Sequence, residues 1–345
     1  MLGIGEAAII SDGSNRLYFT GFHSSAGTVV ITKNDARFFI DFRYIEKAKA
    51  SISHLEVIMT DGLIRQIKEV FSRQNIKNVF IETDRVNLDY YAVLKKNLEG
   101  INISTDKILT NKILELRSIK SMEEIELIKK AQSLTDSTFQ YILNHIESGK
   151  TEKEIMLLME FYIRKLGSEG VAFDFVVVSG KNSSMPHGVP TDKPINDGDF
   201  ITMDFGAVVS GYRSDMTRTV AVKYVSDKQK EVYNTVLSAQ YAALDAIKPG
   251  VKCNEIDKIS RDLIYGAGYE GCFGHGLGHS VGIEIHENPS FNTINETILQ
   301  KGMVLTVEPG IYLENEFGVR IEDMVYITDD SYENITKSPK ELIIL

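Results

Sequence analysis

The stretch Gly274-His-Gly-Leu-Gly-His279-Ser-Val-Gly-Ile-Glu-Ile-His286-Glu-Asn-Pro289 decides the interpretation of this chain. It is not an H-E-x-x-H zinc motif, because Gly276 stands where that motif has glutamate and the glycines oppose a helix. It is not G-x-G-x-x-G either, because its glycines fall at 274, 276, 278 and 282. Histidines between glycines can instead present their imidazoles from a backbone that a ligand approaches closely. A lone histidine here would more often be structural, but His275, His279 and His286 together indicate a site.

Four acidic residues follow or interrupt apolar runs that are predicted to be strands. Asp204 and Asp215 are predicted to lie on two strands of a hairpin that turns near Ser210-Gly211. Glu308 ends an apolar run, and Glu322 is predicted to lie within a strand. Any one of them alone is best interpreted as a strand-end or solvent-facing residue. Four carboxylates together require compensating charge, which two divalent cations supply.

From the residues alone, a mononuclear metal hydrolase and a purely structural metal site also stay open. A structural site is usually sealed and rich in cysteine and histidine, whereas this set is mostly carboxylate. The residues therefore favour a catalytic metal site over a structural one.

The apolar pattern divides the rest of the chain into two regions. Residues 1–112 alternate predicted strands (7–10, 29–31, 37–40, 78–81) and helices (62–72, 89–98), which indicates a small α/β domain. In residues 113–345, capping boxes at Ser121 and Thr151 predict helices that end near Gly149 and Leu166. Further strands are predicted at 173–178, 200–204, 303–307 and 324–327, and helices at 228–247 and 254–265.

Composition excludes several classes of protein. The chain has 345 residues, 43% hydrophobic and 25% charged, which is typical of a globular protein of about two domains. Its net charge of −10 disfavours nucleic acid as a partner. No apolar run approaches the ~18 residues of a membrane span, and the N-terminus lacks the basic region of a signal peptide. We therefore expect no membrane partner and a cytoplasmic protein, with Cys253 and Cys272 as free thiols.

The combined motifs resemble the pita-bread metallopeptidases, above all proline dipeptidase (prolidase) and aminopeptidase P; methionine aminopeptidases and creatinases share that fold. The N-terminal region resembles the family's creatinase-like domain through Asn15-Arg-Leu-Tyr-Phe-Thr-Gly-Phe22. The resemblance implies an α/β (α+β) chain, with a creatinase-like α/β domain in 1–112 and a pita-bread catalytic domain in 113–345. The catalytic motifs are Met-Asp204-Phe-Gly, Ser-Asp215-Met-Thr-Arg-Thr, Gly-His275-Gly-Leu-Gly-His279, Ile-His286-Glu-Asn-Pro, Val-Glu308-Pro-Gly and Arg320-Ile-Glu322-Asp.

The resemblance also assigns roles to residues. It implies two divalent metal ions, Mn or Co first and Zn or Fe as alternatives, which share a nucleophilic hydroxide. Glu308 is implied to shuttle protons, His286 to stabilise the oxyanion, and His187 to contact the substrate on the leaving-group side. His275 and Arg320 are implied to form the proline-side pocket, although an ion pair that orients a ligand carboxylate is an equally open role for Arg320. The implied metal ligands are Asp204, Asp215, His279, Glu308 and Glu322.

The implied activity is hydrolysis of Xaa-Pro bonds in a peptide with proline in second position. An Xaa-Pro dipeptidase is our first hypothesis, with Arg320 and nearby histidines as the cation for the substrate carboxylate, and aminopeptidase P is the alternative. A creatinase-like amidinohydrolase and a non-catalytic interaction protein of the same fold are remoter alternatives, because such relatives lack the metal set. The resemblance also implies a homodimer. One departure is that we expect no full helix before the strand at Ala7–Ile10.

Overall fold

Six strands form one mixed sheet in the N-terminal unit of the computed structural model, which describes residues 2–345. The sheet order is β4-β3-β2-β1-β5-β6, with parallel pairing of β3/β4, β1/β5 and β5/β6. The elements are β1 (Glu6–Ile10), α1 (Gly13–Thr20), β2 (Thr28–Thr32), β3 (Ala36–Ile40), α2 (Ile45–Ser51), β4 (Glu56–Met59), α3 (Leu63–Arg73), β5 (Asn78–Ile81), α4 (Leu88–Asn97), β6 (Asn102–Ser104) and α5 (Ile108–Ser118).

Helices cover both faces of this sheet. Neighbouring residues of a strand point to opposite faces, so Ile9 and Ile10 of β1 enter different cores. Ile9 lies in a cluster with Phe71 of α3, whereas Ile10 lies in one with Ala48 of α2 and Ile113 of α5. The strands and helices predicted in this region are confirmed. The unit ends at Arg117, and position 112, the predicted boundary, lies inside α5.

The second unit runs from Ser118 to Leu345 and repeats one plan, a helix pair packed on a sheet. Helices α6 and α7 pack on the sheet β11-β8-β7, and α8 and α9 on the sheet β13-β12-β14-β17-β18. The elements are α6 (Met122–Leu143), α7 (Glu152–Lys165), β7 (Val176–Ser179), a 3-10 helix (Gly180–Ser184), β8 (Phe200–Phe205), β9 (Val208–Val209), β10 (Tyr212–Arg213), β11 (Met216–Ala221), α8 (Asp227–Ala246), α9 (Cys253–Gly266), β12 (Gly278–Ser280), β13 (Glu287–Phe291), β14 (Val304–Val307), β15 (Gly310–Leu313), β16 (Phe317–Arg320), β17 (Asp323–Ile327) and β18 (Tyr332–Asn334).

Two helices begin where their sequence signals predict. Both capping boxes are formed: the Ser121 hydroxyl accepts from the N–H of Glu124, whose carboxylate accepts from the N–H of Ser121, and Thr151 and Glu154 repeat the arrangement. Each reciprocal pair satisfies two amide groups that a helix start leaves without partners.

Two predicted boundaries are wrong. Helix α6 ends at Leu143 and not near Gly149. The N–H groups of Asn144 and His145 donate to the carbonyl groups three residues earlier, as in a 3-10 helix, and this tightens the last turn. The strand expected from 173 begins only at Val176, because the pairing with β8 is irregular before it: Val176 pairs with Asp204, but the next bridge, Val171 with Ala207, lies in a shifted register. None of the helices in residues 2–345 combines the length and the apolar run needed to cross a bilayer.

Candidate metal centre

One cleft of the C-terminal unit collects all the residues that the sequence singled out. The cleft has a volume of about 1130 Å³ and lies where the ends of the two sheets meet. Residues more than a hundred positions apart in the chain therefore line one cavity, which is the arrangement of a site. The predicted residues that line it are His187, Asp204, Asp215, His275, His279, His286, Glu308, Arg320 and Glu322.

The first two acids lie on the predicted hairpin. Asp204 is on β8, opposite Thr217 of β11, and Asp215 directly precedes β11. The chain reverses at Ser210 and Gly211, both with positive φ, in the small ribbon formed by β9 and β10. The hairpin and its turn are confirmed, but the prediction that Asp215 lies on a strand is wrong, because Asp215 lies one residue before β11.

Glu322 departs from its prediction. It lies in a short link between β16 and β17, so the prediction that it lies within a strand is wrong. Before Glu322, β16 pairs with β15, and after it, β17 pairs with β14. The backbone therefore changes its strand partner at this point. Thr217 fixes Glu322 instead: its carbonyl accepts from the Glu322 N–H at 3.1 Å, and its hydroxyl donates to Glu322 Oε2 at 2.7 Å.

The glycines around the histidines are required by close contacts with the protein's own backbone, whereas the sequence interpretation was close approach by a ligand. A Cβ on Gly276 would meet the carbonyl oxygen of Phe291, and one on Gly278 would meet that of Thr306. The Thr306 hydroxyl accepts from the N–H of His279 at 3.0 Å and donates to Glu308 at 3.1 Å. The missing side chains thus let β12 lie against its neighbours with His279 directed into the cleft.

Three side chains offer ligand atoms to a common point. One atom each from Asp215, His279 and Glu322 lie within 4.8 Å of one another. His279 Nδ1 donates to the carbonyl of Ser280 at 3.1 Å, which leaves Nε2 unprotonated at 3.6 Å from Asp215 and 3.4 Å from Glu308. Burial lowers the pKa of His279 and keeps the imidazole neutral, the form that binds metal.

The carboxylates bring several negative charges close together in a buried place, and a bound cation would compensate them. Burial raises the pKa of Asp215, Glu308 and Glu322, and the neighbouring carboxylates raise it further. Asp204 Oδ1 is buried without a hydrogen-bond partner among residues 2–345. Carboxylate oxygens with one imidazole are the donor set of a hard divalent ion, so these residues fit such ions.

Arg320 lies behind the acids. Its side chain is 3% exposed, and Nη2 lies 2.6 Å from Asp204 Oδ2. It also donates from Nε to the Thr217 hydroxyl and from Nη1 to the Tyr312 hydroxyl, each at 2.9 Å. This geometry favours the ion-pair role of Arg320 over a direct contact with substrate.

Tyr312 is a residue of this site that the sequence did not indicate. Its hydroxyl donates to His275 Nε2 at 2.9 Å, because His275 Nδ1 already donates to the carbonyl of Gly276. Burial raises the pKa of Tyr312 to about 12, so the phenol keeps its proton. The only sequence signal was an aromatic residue four positions after Glu308, which is too common to indicate a site.

The remaining histidines lie at the rim. The rings of His279 and His286 meet edge to face with centroids 4.4 Å apart. Burial and then the charges of His279 and His187 lower the pKa of His286. His187 is exposed in the loop after the 3-10 helix. Both imidazoles line the cleft.

Comparison with known proteins assigns the family. Residues 126–329 match the model of metallopeptidase family M24, and residues 5–119 match the creatinase/prolidase N-terminal domain. The chain belongs to metallopeptidase family M24. The fold class expected from the sequence, a creatinase-like N-terminal domain followed by a pita-bread metallopeptidase domain, is thereby confirmed. Membership makes the chain a metal-dependent peptidase and implies divalent metal ions.

Three relatives of this M24 peptidase are named as Xaa-Pro peptidases. The Xaa-Pro dipeptidase of Pyrococcus furiosus is 37% identical over 98% of this chain and 95% of its own. The structure of an Xaa-Pro dipeptidase from Bacillus anthracis matches with a TM-score of 0.94 at 40% identity, covering 98% of this chain and 95% of that one. The X-Pro aminopeptidase from Thermotoga maritima matches with a TM-score of 0.93 at 36% identity, covering 100% and 98%.

Proposed function

We propose that this M24 peptidase hydrolyses the Xaa-Pro bond of dipeptides. The observation that carries the proposal is the convergence of Asp215, His279 and Glu322 in a cleft that also contains Asp204 and Glu308. The substrate class is supported by the names of its relatives, two of which are Xaa-Pro dipeptidases.

The carboxylates and one imidazole would hold two divalent ions, Mn or Co first and Zn or Fe as alternatives. Such ions, when bound, polarise a carbonyl and lower the pKa of water toward neutrality. A bound ion would give Asp204 Oδ1 the partner that it lacks among residues 2–345. The ligands are Asp204, Asp215, His279, Glu308 and Glu322.

The chain's own residues then move protons and bind developing charge. Glu308 carries a proton to the proline nitrogen, which must leave as an amine. The hydrogen bond from Thr306 orients the Glu308 carboxylate for this step. His286 donates to the oxygen that becomes negative when the carbonyl is attacked, and His187 contacts the substrate on the leaving-group side.

Preference for proline has a chemical basis. The nitrogen of an Xaa-Pro bond is tertiary and has no hydrogen, so a site cannot recognise the bond through an N–H donor. The ring must be held by packing, and the cleft offers apolar surface from Phe173 and Val189. His275, held by Tyr312, lines the same cleft and completes the proline-side pocket of the proposal.

A second candidate is an aminopeptidase that acts on longer Xaa-Pro peptides. It is favoured by the hydrogen bonds that the guanidinium of Arg320 makes within the protein. A dipeptidase needs a cation for the substrate carboxylate, and the guanidinium of Arg320 is already bound to Asp204, Thr217 and Tyr312. A relative whose structure matches along the whole chain is an X-Pro aminopeptidase.

The experiment that separates the two candidates compares Ala-Pro, Ala-Pro-amide and Ala-Pro-Ala-Ala at one metal concentration. A dipeptidase should lose at least tenfold in kcat/KM when the carboxylate is masked, because its cation is left unpaired. Cleavage of the tetrapeptide as fast as Ala-Pro would overturn the dipeptidase assignment in favour of the aminopeptidase. Absence of cleavage of all three by metal-loaded protein would overturn the proposed function itself.

Three further parts belong to the proposal, and the last two have direct tests. A cytoplasmic location is supported by the free thiols of Cys253 and Cys272. A homodimer is supported by the family resemblance and is tested by sedimentation. The division into residues 1–112 and 113–345 is tested by limited proteolysis across α5.

A further inference from the structure

A buried lysine contacts β12, the strand that carries His279. Lys120 precedes α6, and its side chain is 1% exposed. Its ammonium donates to Ser280 Oγ at 2.8 Å and lies 3.3 Å from Glu287 Oε2. The Glu287 carboxylate is 5% exposed, and its Oε1 accepts from the N–H of Glu284 at 3.0 Å. Lys120 and Glu287 are therefore a buried ion pair whose charges also have polar partners.

Both partners of the ammonium adjoin histidines of the candidate site. Ser280 follows His279, Glu287 follows His286, and Ser280 and Glu287 face each other across β12 and β13. Neighbouring residues of a strand point to opposite faces. His279 lines the cleft, so Ser280 and Lys120 lie on the other side of β12. Lys120 thus ties together the two ends of the segment 280–287.

The strand pairing at this point is irregular. His279 pairs with Ser290 but Ser280 pairs with Glu287, so a bulge interrupts the ladder directly beside His279. A bulge re-aims side chains and removes ladder hydrogen bonds that would otherwise fix the register. A contact from outside the ladder can therefore hold β12 and β13 in register at this point. Lys120 is itself anchored, because its backbone N–H donates to the carbonyl of Gly302 at 2.8 Å.

We propose that the Lys120–Glu287 ion pair is a positioning element of the peptidase, which fixes β12 against β13 so that His279 and His286 keep their places in the cleft. It touches neither substrate nor reacting atoms and acts through the two histidines. The proposal rests on the proposed function for its kinetic test, while metal binding by His279 gives a test that does not depend on the substrate.

The central variant is the double substitution Lys120→Met with Glu287→Gln. Each single substitution removes one charge of a buried ion pair and should destabilise the fold strongly. The double variant removes both charges, nearly keeps the side-chain volumes and should regain stability. Thermal midpoint, kcat and KM for Ala-Pro, and visible absorption of the Co²⁺-loaded protein are measured on each variant.

A positioning role predicts that stability returns in the double variant but function does not. Its thermal midpoint should lie within about 4 °C of the parent protein. Its kcat should stay about 10–100-fold low, as for other groups that orient metal ligands, while KM changes less than about threefold. The Co²⁺ spectrum should differ from that of the parent. Parental kcat with a parental spectrum would overturn the proposal, because the pair would then serve the fold alone.

Two further variants keep the result interpretable. Ser280→Ala removes only one contact of the ammonium; it should fold like the parent, lower kcat and alter the spectrum, and it decides the question if the double variant does not fold. Lys129→Met is the matched control, because it breaks an ion pair with Glu333 between α6 and β18, away from the histidines. If the parent cleaves no Xaa-Pro peptide, the proposed function fails, and the Co²⁺ spectra still test the positioning role.

Discussion

The guanidinium of Arg320 lies 2.6 Å from Asp204 Oδ2 in an ion pair that is almost closed to solvent. The same guanidinium donates to the hydroxyl groups of Thr217 and Tyr312. Thr217 in turn donates to Glu322, so one arginine and one hydroxyl connect Asp204 of β8 with Glu322 in the link between β16 and β17. The positive charge of Arg320 is therefore paired with a candidate metal ligand, although the residue also lines the cleft.

Replacement of Arg320 tests this relationship. Arg320→Lys keeps the charge but cannot serve three partners in one plane. Because Asp204 loses its orientation, metal affinity or activity should fall about 10–100-fold. The loss should be equal for Ala-Pro and Ala-Pro-amide, measured as kcat/KM. A loss confined to Ala-Pro would show instead that Arg320 binds the substrate carboxylate.

Glu308 is expected to be needed for proton transfer. Glu308→Gln keeps the size of the side chain and removes its charge and basicity, so kcat should fall by at least ~10²–10⁴-fold. Glu314→Gln, at an exposed position of the following ribbon, is the matched control and should keep parental turnover. Near-parental kcat in Glu308→Gln would remove this residue from the mechanism.

The glycines of the histidine segment differ in their tolerance of a side chain. A Cβ on Gly278 would collide with the carbonyl of Thr306, whereas one on Gly274 meets no atom within 4 Å. Gly278→Ala should therefore lower the free energy of unfolding by about 1–3 kcal/mol or more, as overpacking does, and weaken metal binding. Gly274→Ala should leave both unchanged. Denaturant titration of the two variants compares them, and equal stabilities would contradict the packing described for β12.

Metal should stabilise the protein more at about pH 8 than at about pH 5. In the metal-free protein, burial raises the pKa of Asp215, Glu308 and Glu322. An acid whose pKa is raised by folding favours the folded state when protonated, and this stability is lost as pH rises through the raised value. Metal replaces those protons, so its effect on the thermal midpoint should grow with pH. A metal-induced shift that is the same at both pH values would argue against ligation by these acids.

Much of the fold follows from local signals in the sequence. The capping boxes at Ser121 and Thr151 set helix starts because all their partners lie within three residues. The β8–β11 hairpin was predictable because its turn and its apolar runs are contiguous. Glu322 was misplaced because the chain changes sheets there, and no local pattern records which strand becomes the partner.

The sequence predicted the acids and histidines of the candidate site but not the residues that hold them in place. The acids and histidines stand out because charge and imidazole are unusual in apolar or glycine-rich strands. Tyr312 and Lys120 do not stand out, because their partners lie 37 and 160 residues away in the chain. Such long-range hydrogen bonds are set by the packing of whole elements, which a single sequence does not display.

The most direct test of the central claim is the rate of proline release from Ala-Pro by protein that has been stripped of metal and then reloaded. We expect no release after chelation, recovery on addition of Mn²⁺ or Co²⁺, and little or no cleavage of Ala-Ala under the same conditions, with metal content verified in each sample. Full activity in the metal-free protein, or inactivity of the reloaded protein toward every Xaa-Pro peptide, would contradict the account.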